Sequence, residues 1–495
     1  MTGTFPNMMD FSGFNAPSRV ECDIFDLMVV EGRIPADFHG RWYRMTPDPQ
    51  YPPMLGEDTY LSGDGMISMF AFVDGRVDFR SRYVMTERLK NERKARRSLY
   101  GLYRNPYTDN AKVQGAPGRS AANTTPVFHA GRLLATKEDG RPMEIDPHTL
   151  ETLGEYDFGG ALRSATMTAH PRIDPETGEM FLYGAQAGGL ATRDMAFAVI
   201  GRDGKLVSEQ WFEGPYAGMV HDFVVTKDHI VFPFFPVIVD HARLKAGGPH
   251  WRWEAGRGTH IGIIPRGGSA KDMRWFSGPD WSFFHFMNAY SDGSQVHVDF
   301  TIADEVPFPF IREASGLQGP PNMEHAGLVR WTFDLSRNSN DGWVERRLGP
   351  PGDFPTIARA NHMKDYAAGY YQIYDPAVGP PNVAGPVGVG FNTVVRVDVR
   401  TGELRPYAPG PSCTVQEHVH VPSTAAGHEG YLLFVVDYHE TMSNEVHIVE
   451  AEHPERGPVA RIAMPLRLRN QIHGNWVPEA ELPAPAGVSR VQAAG

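Results

Sequence analysis

Short apolar or alternating runs, each closed by a turn signal, recur along the whole chain. Phe181-Leu182-Tyr183, Val296-His297-Val298 and Leu432-Leu433-Phe434-Val435-Val436 are rich in the β-branched and aromatic residues that suit a pleated, half-buried strand. Between such runs stand Val73-Asp74-Gly75-Arg76, His129-Ala130-Gly131-Arg132, Asp174-Pro175-Glu176-Thr177-Gly178, Arg202-Asp203-Gly204-Lys205, Ser291-Asp292-Gly293 and Arg400-Thr401-Gly402. Each offers a glycine for the positive φ that joins two strands without strain, which is hairpin chemistry. Helical patterning is confined to Met85–Leu99 and a stretch near Ala242–Lys245. The class is therefore all-β. An ordinary sandwich is too small for this many hairpins, whereas a radial array of sheets absorbs them, with about 70 residues per blade for seven blades. No WD or kelch signature fixes the blade count, and no low-complexity linker divides the chain, so a single propeller domain over residues 1–495 is expected.

Composition narrows the function. With 47 Lys+Arg against 59 Asp+Glu the formal net charge is -12, and no basic footprint suited to nucleic acid stands out. The run around Arg93, Lys94, Arg96 and Arg97 reads as the solvated face of a helix. The two cysteines, Cys22 and Cys413, lie far apart, which fits a reducing compartment and excludes a disulfide framework. Met1 to Val20 is polar and lacks the apolar core of a secretory signal. Ile230–Val239, the longest apolar run, is broken by Pro233 and Pro236 and is too short to span a bilayer. A cytoplasmic protein without an integral membrane segment is expected.

Candidate chemistry centres on the 20 histidines. His170, His221, His285 and His473 each lie in or beside an apolar, strand-like run, and a propeller can aim such residues at its axis from different blades. Each of them alone is also consistent with a histidine satisfied by packing, so the pattern leaves ligands and packing histidines undivided. His418-Val419-His420, with Glu429 downstream, is a rival: residues two apart on a strand share a face and could begin a cupin-like metal site. Gly63-Asp64-Gly65-Met66 is not followed by a helix and cannot be a phosphate loop. No Gly-x-Ser-x-Gly elbow is present, and Glu450 and Glu452 read as solvated.

Several local motifs resemble one family. These are Gly63-Asp64-Gly65-Met66, Gly101-Leu102-Tyr103-Arg104-Asn105-Pro106-Tyr107-Thr108-Asp109 and Ala135-Thr136-Lys137-Glu138-Asp139-Gly140. Ile173 to Gly178, Met219-Val220-His221-Asp222-Phe223, Pro307-Phe308-Pro309-Phe310 and His473-Gly474-Asn475-Trp476 complete the set. The chain resembles the carotenoid cleavage oxygenases, and within them the branch of lignostilbene dioxygenase and isoeugenol monooxygenase, from about Val20 to Trp476. The resemblance implies a seven-bladed β-propeller capped by loops and short helices, with Fe(II) held on its axis by His170, His221, His285 and His473. Glu138, Asp353 and Glu417 match the outer carboxylates, which would accept the far N–H of a ligand histidine and fix its tautomer. Asp353 stands where a glutamate is the family residue, one methylene longer. A closer backbone, a bridging water or a more loosely held histidine would each accommodate it. His418 and His420 become neighbours of Glu417 in this scheme.

The branch resemblance also places the substrate. Tyr103 and Lys137 match residues that grip the 4-hydroxyl of a substrate ring; a neighbouring ammonium favours the phenolate, which feeds charge into the conjugated alkene. Tyr60 and Phe308 are candidate aromatic walls and Thr124 matches a threonine near the open metal position. The implied reaction is O2-dependent cleavage of the central C=C of a 4-hydroxystilbene to two aromatic aldehydes. The rivals are an isoeugenol-type phenylpropenoid cleaver, an apocarotenoid cleaver and, from another class, a non-catalytic propeller scaffold. The implied partners are a small phenolic alkene and O2, without nucleic acid; a homodimer is left open.

Overall fold

The computed structural model describes residues 3–311, 322–337 and 342–485. Its strands form seven antiparallel sheets, with one further two-stranded ribbon pairing Val237–Ile238 with Arg252–Trp253. The sheets are the blades of a seven-bladed β-propeller. Blade 1 begins with Thr125–His129, blade 2 with Arg172–Ile173, blade 3 with Val224–Val225, blade 4 with Phe286–Asp292 and blade 5 with Asp353–Thr356. Each continues outward through three more strands. First strands of neighbouring blades touch one another, as Val224–Val225 does Phe286–Asp292 and Phe286–Asp292 does Asp353–Thr356, so they ring the axis.

Blades 6 and 7 are built from both ends of the chain. In blade 6, Val29–Gly32 adds to the edge formed by Pro458–Ala463. In blade 7, His473–Pro478 pairs with Gly40–Pro47, placing Trp42 opposite Trp476 and Met45 opposite His473. This double closure joins the last blades to the first, so no blade face is left uncovered at an open end and only short outer edges remain. Apolar side chains from facing blades fill the gaps: Trp42, Phe70 and Phe72 of blade 7 meet Leu433, Val435 and Ile448 of blade 6, all fully buried.

The turn signals fold as expected. Gly75, Gly131, Gly178, Gly204, Gly293 and Gly402 all take positive φ, between 57° and 80°. The helix expected over Met85–Leu99 is shorter, Glu87–Ala95. Thr86 caps its start by accepting from the Leu89 N–H at 3.2 Å. At its end Arg96 turns left-handed (φ 54°) and the Glu92 carboxylate gathers the Leu99 and Tyr100 amides, drawing the chain out of the helix. The second helix is His241–Lys245, capped by Asp240. Among the described residues no helix is long and apolar enough to cross a membrane.

Candidate metal centre and active site

The start of an axial strand lies at the ring's centre, where a side chain can be pointed along the axis. His170 stands two residues before Arg172–Ile173, His221 three residues before Val224–Val225 and His285 directly before Phe286–Asp292, and His473 opens His473–Pro478. Four of the seven blades therefore deliver an imidazole to one point, and the ligand nitrogens lie within 4.8 Å of one another. The Nε2 atoms of His170 and His221, and of His221 and His285, are each 3.1 Å apart.

The outer nitrogens are held by carboxylates from the remaining three blades. His221 Nδ1 bonds Glu138 at 2.7 Å, His285 Nδ1 bonds Asp353 at 2.9 Å and His473 Nδ1 bonds Glu417 at 2.7 Å. A carboxylate at Nδ1 fixes the proton there and leaves the Nε2 lone pair facing the axis. Burial and the neighbouring rings push His473 down to about 3 and His170 well below the ordinary histidine range, so both imidazoles are neutral. Burial raises the Glu138 carboxyl, but the hydrogen bond and charge of His221 outweigh it and hold it down at about 2. Burial pushes the Glu417 carboxyl up to about 8 against the Gly474 amide and the Gln471 side chain that donate to it. A cation held by the four histidines would draw it back toward the carboxylate that accepts from His473 Nδ1.

These features fit a metal ion. His473 Nε2 is buried without a hydrogen-bond partner, which is costly unless something else satisfies it. Metal–nitrogen bonds of about 2.1 Å at right angles put their nitrogens about 3.0 Å apart, close to the separations observed. Among the described residues the four histidines are the one group with this spacing. His420 Nε2 instead bonds the Glu429 carbonyl at 2.6 Å, and the Glu429 carboxylate pairs with Arg396, so the cupin-like reading of His418 and His420 is not met.

Asp353 reaches His285 directly. The strand bulges between Asp353 and Thr356, and Phe354 takes φ 54°, bringing the shorter side chain within hydrogen-bond range. Phe354 then lies against the His285 ring, 5.4 Å between centroids at 24°.

A cavity of about 690 Å³ opens beside the histidines. Tyr103, Thr124, Lys137 and Phe308 all line it. Lys137 is 4% exposed; its ammonium donates to the Leu61 carbonyl at 2.9 Å and Asn123 Oδ1 at 3.1 Å, and stands 5.2 Å from the centre of the Tyr103 ring. Two of its three N–H groups are thereby spent, leaving one for a ligand oxygen. Burial pushes this ammonium down to about 8 and the Tyr103 hydroxyl up. Thr124 donates to the same Asn123 oxygen at 3.1 Å. Tyr60 is a correction: it does not line the cavity but is fully buried, with its hydroxyl on the Asn470 carbonyl and the Arg469 guanidinium over its ring.

Aromatic rings flank the histidines in two groups. Tyr103, Phe310, Phe308 and Phe284 form a chain of edge contacts that ends against His221, while Phe354 and Phe391 meet beside His285 and His473. The sequence reading missed Asn123, Phe354 and Phe391. Phe354 adjoins Asp353 and Asn123 adjoins Thr124, both already singled out, but nothing local marks Phe391.

Residues 15–478 match the family described as retinal pigment epithelial membrane protein. The chain belongs to this carotenoid oxygenase family. Within the family it is 39% identical to lignostilbene-alpha,beta-dioxygenase isozyme III of Sphingomonas paucimobilis, covering 97% of this chain and 99% of that one. It is also 39% identical to isoeugenol monooxygenase of Pseudomonas nitroreducens, covering 93% and 96%. The crystal structure of Pseudomonas brassicacearum lignostilbene dioxygenase superposes with a TM-score of 0.92 at 40% identity, over 96% of this chain and 99% of that one.

Proposed function

We propose that this oxygenase cleaves the central C=C bond of 4-hydroxystilbenes with O2, the two oxygen atoms leaving in two aromatic aldehydes. His170, His221, His285 and His473 would hold Fe(II), and Glu138, Asp353 and Glu417 would keep three of their Nε2 atoms free to bind it. Four imidazole ligands leave two positions of a six-coordinate ion open. Bound there, Fe(II) supplies the capacity to bind and activate O2.

The observation that carries the reading is the Lys137 ammonium, buried in the wall of the same cavity as the histidines. Burying a cation is expensive, and a polyene hydrocarbon gives nothing back, whereas a phenol oxygen accepts the remaining N–H. Lys137 and Tyr103 would hold the 4-hydroxyl and draw it toward the phenolate, which enriches the conjugated alkene. The second aromatic group, Phe354 with Phe391, favours a substrate with two aryl rings over a phenylpropenoid with one.

The test is aldehyde formation by Fe(II)-reconstituted protein given resveratrol, trans-stilbene, isoeugenol and an apocarotenal side by side. Paired aldehydes from resveratrol are expected, with far less from trans-stilbene, which lacks the hydroxyl. Preferred turnover of isoeugenol or the apocarotenal would overturn the substrate assignment.

A further inference from the structure

Residues 3–19 belong to no sheet, yet this arm is pinned on two sides. On one side Phe14 is fully buried with its edge on the His439 ring, 4.9 Å between centroids. Arg467 reaches the carbonyls of Gly13, Phe14, Ala16 and Pro17 at 2.8–3.4 Å, and Arg469 reaches that of Asp10 at 3.0 Å. The Asp10 carboxylate in turn accepts the Tyr60 N–H at 2.6 Å. Arg467 and Arg469 stand in the stretch that runs into His473, so the arm is anchored to the segment carrying a candidate ligand.

On the other side Asn15, 0% exposed, grips a single distant residue. Its Nδ2 donates to the Gly385 carbonyl at 3.0 Å and to the Met9 carbonyl at 3.1 Å, while its Oδ1 accepts from the Gly385 N–H at 2.9 Å. Two opposed bonds to one residue reproduce a rung of an antiparallel ladder. Gly385 lies in the loop 379–391, of which Pro386, Val387, Val389 and Phe391 line the cavity. The loop is stitched internally by Ala384 N–H to the Gly388 carbonyl and Gly390 N–H to the Asn382 carbonyl. Its two ends are tied by the Tyr374 hydroxyl to the Gly379 carbonyl at 3.1 Å and by the Val415 N–H to the Phe391 carbonyl at 2.8 Å. Between them, among the described residues, the hydrogen bonds that 380–390 make beyond the loop are the pair with Asn15. Ala384 is buried and Val387 and Phe391 pack against the core, but Val383 and Val389 remain 48% and 44% exposed, so the pair with Asn15 supplies the fixed polar contact at the middle of the loop.

We propose that Asn15 is a positioning residue for substrate: by holding Gly385 it seats loop 379–391 as a wall of the cavity, so the N-terminal arm sets how tightly the ring beside Phe354 and Phe391 is held. The substrate part of this inference rests on the 4-hydroxystilbene reading; the loop part does not.

The experiment compares wild-type and Asn15→Ala full-length protein, both loaded with Fe(II). Losing this bidentate contact is expected to raise KM for resveratrol about tenfold, with kcat within about twofold and bound iron unchanged. In hydrogen-exchange mass spectrometry, peptides spanning 379–391 are expected to exchange about tenfold faster, while those from the axial strands keep their protection. Unchanged KM together with unchanged exchange would overturn the proposal, and so would a fall in kcat with loss of iron, which would mean a general structural role. Should Asn15→Ala not fold, Asn15→Ser, which stays neutral and small but is too short to make the paired bond to Gly385, is measured in the same way. Rapid exchange of the 379–391 peptides in the wild type would also overturn it. If wild-type protein turns over none of the stilbenes, the functional reading fails and the exchange arm decides the loop proposal alone.

Discussion

Lys137 shows how much one buried group can be asked to do. Burial holds its ammonium at about 8, below the usual lysine range. The charge is therefore present below pH 8 and lost above it. If it binds the phenol, kcat/KM for 4-hydroxystilbenes falls about tenfold per pH unit above pH 8, since that ratio reports the free enzyme. Lys137→Arg, whose guanidinium keeps its proton, should lack this alkaline limb. A limb that persists in that variant would remove Lys137 from the role. Stability moves the other way. An unfolded lysine holds its proton to about pH 10.4, so between about 8 and 10.4 the unfolded chain binds more protons and this residue's contribution to stability rises with pH. Lost activity in that window is thus not explained by unfolding through Lys137.

At the scale of elements, the axial strands are short, and their precision comes from neighbours. The strand Arg172–Ile173 has two residues and His473–Pro478 has six, yet His170 just before the one and His473 at the head of the other reach the same cluster. What fixes both is the blade behind and the packing between blades. Gly40–Pro47 is central here because it backs the strand of His473 and closes the ring. Trp42 on this strand is fully buried, stacked on Phe70 at 5.1 Å with the Arg44 guanidinium 5.3 Å from its ring centre. Trp42→Ala should cost about 3–5 kcal/mol through lost burial and the cavity left behind, read as a lower midpoint in urea unfolding. A variant as stable as wild type would show that closure does not depend on this strand. The shortened helix Glu87–Ala95 carries the related lesson that a pattern marks where a helix begins better than where it stops, because here a carboxylate, Glu92, competes for the backbone.

For the whole molecule, the proposed ligands tie together blades 2, 3, 4 and 7, and the carboxylates behind them come from blades 1, 5 and 6. An ion bound to all four histidines binds the folded ring and not the open chain, so it stabilises the fold by mass action. Stripping the metal with a chelator should lower the melting temperature by several degrees, and adding Fe(II) anaerobically should restore it. No shift in either direction would mean that the histidines do not share an ion.

Sequence alone determined the class of this protein. Hairpin signals act over a few residues, and Gly75, Gly131 and Gly293 needed no distant partner to adopt positive φ. Family motifs likewise survive as local strings, which is why Tyr103, Lys137 and the four histidines could be named before their surroundings were known. The histidine pattern by itself could not separate ligands from packing residues, because that distinction is a matter of convergence. Whether His170 and His473 meet depends on seven blades closing into a ring, across three hundred residues of chain. Tertiary structure also decided what no local string records: that Tyr60 braces Asn470 instead of walling the cavity, that a bulge with a left-handed Phe354 lets Asp353 reach His285, and that Asn15 holds Gly385. Each of these is a contact between segments far apart in sequence. Side-chain chemistry is written residue by residue, but the distances that make it a site are set by the packing of the whole ring.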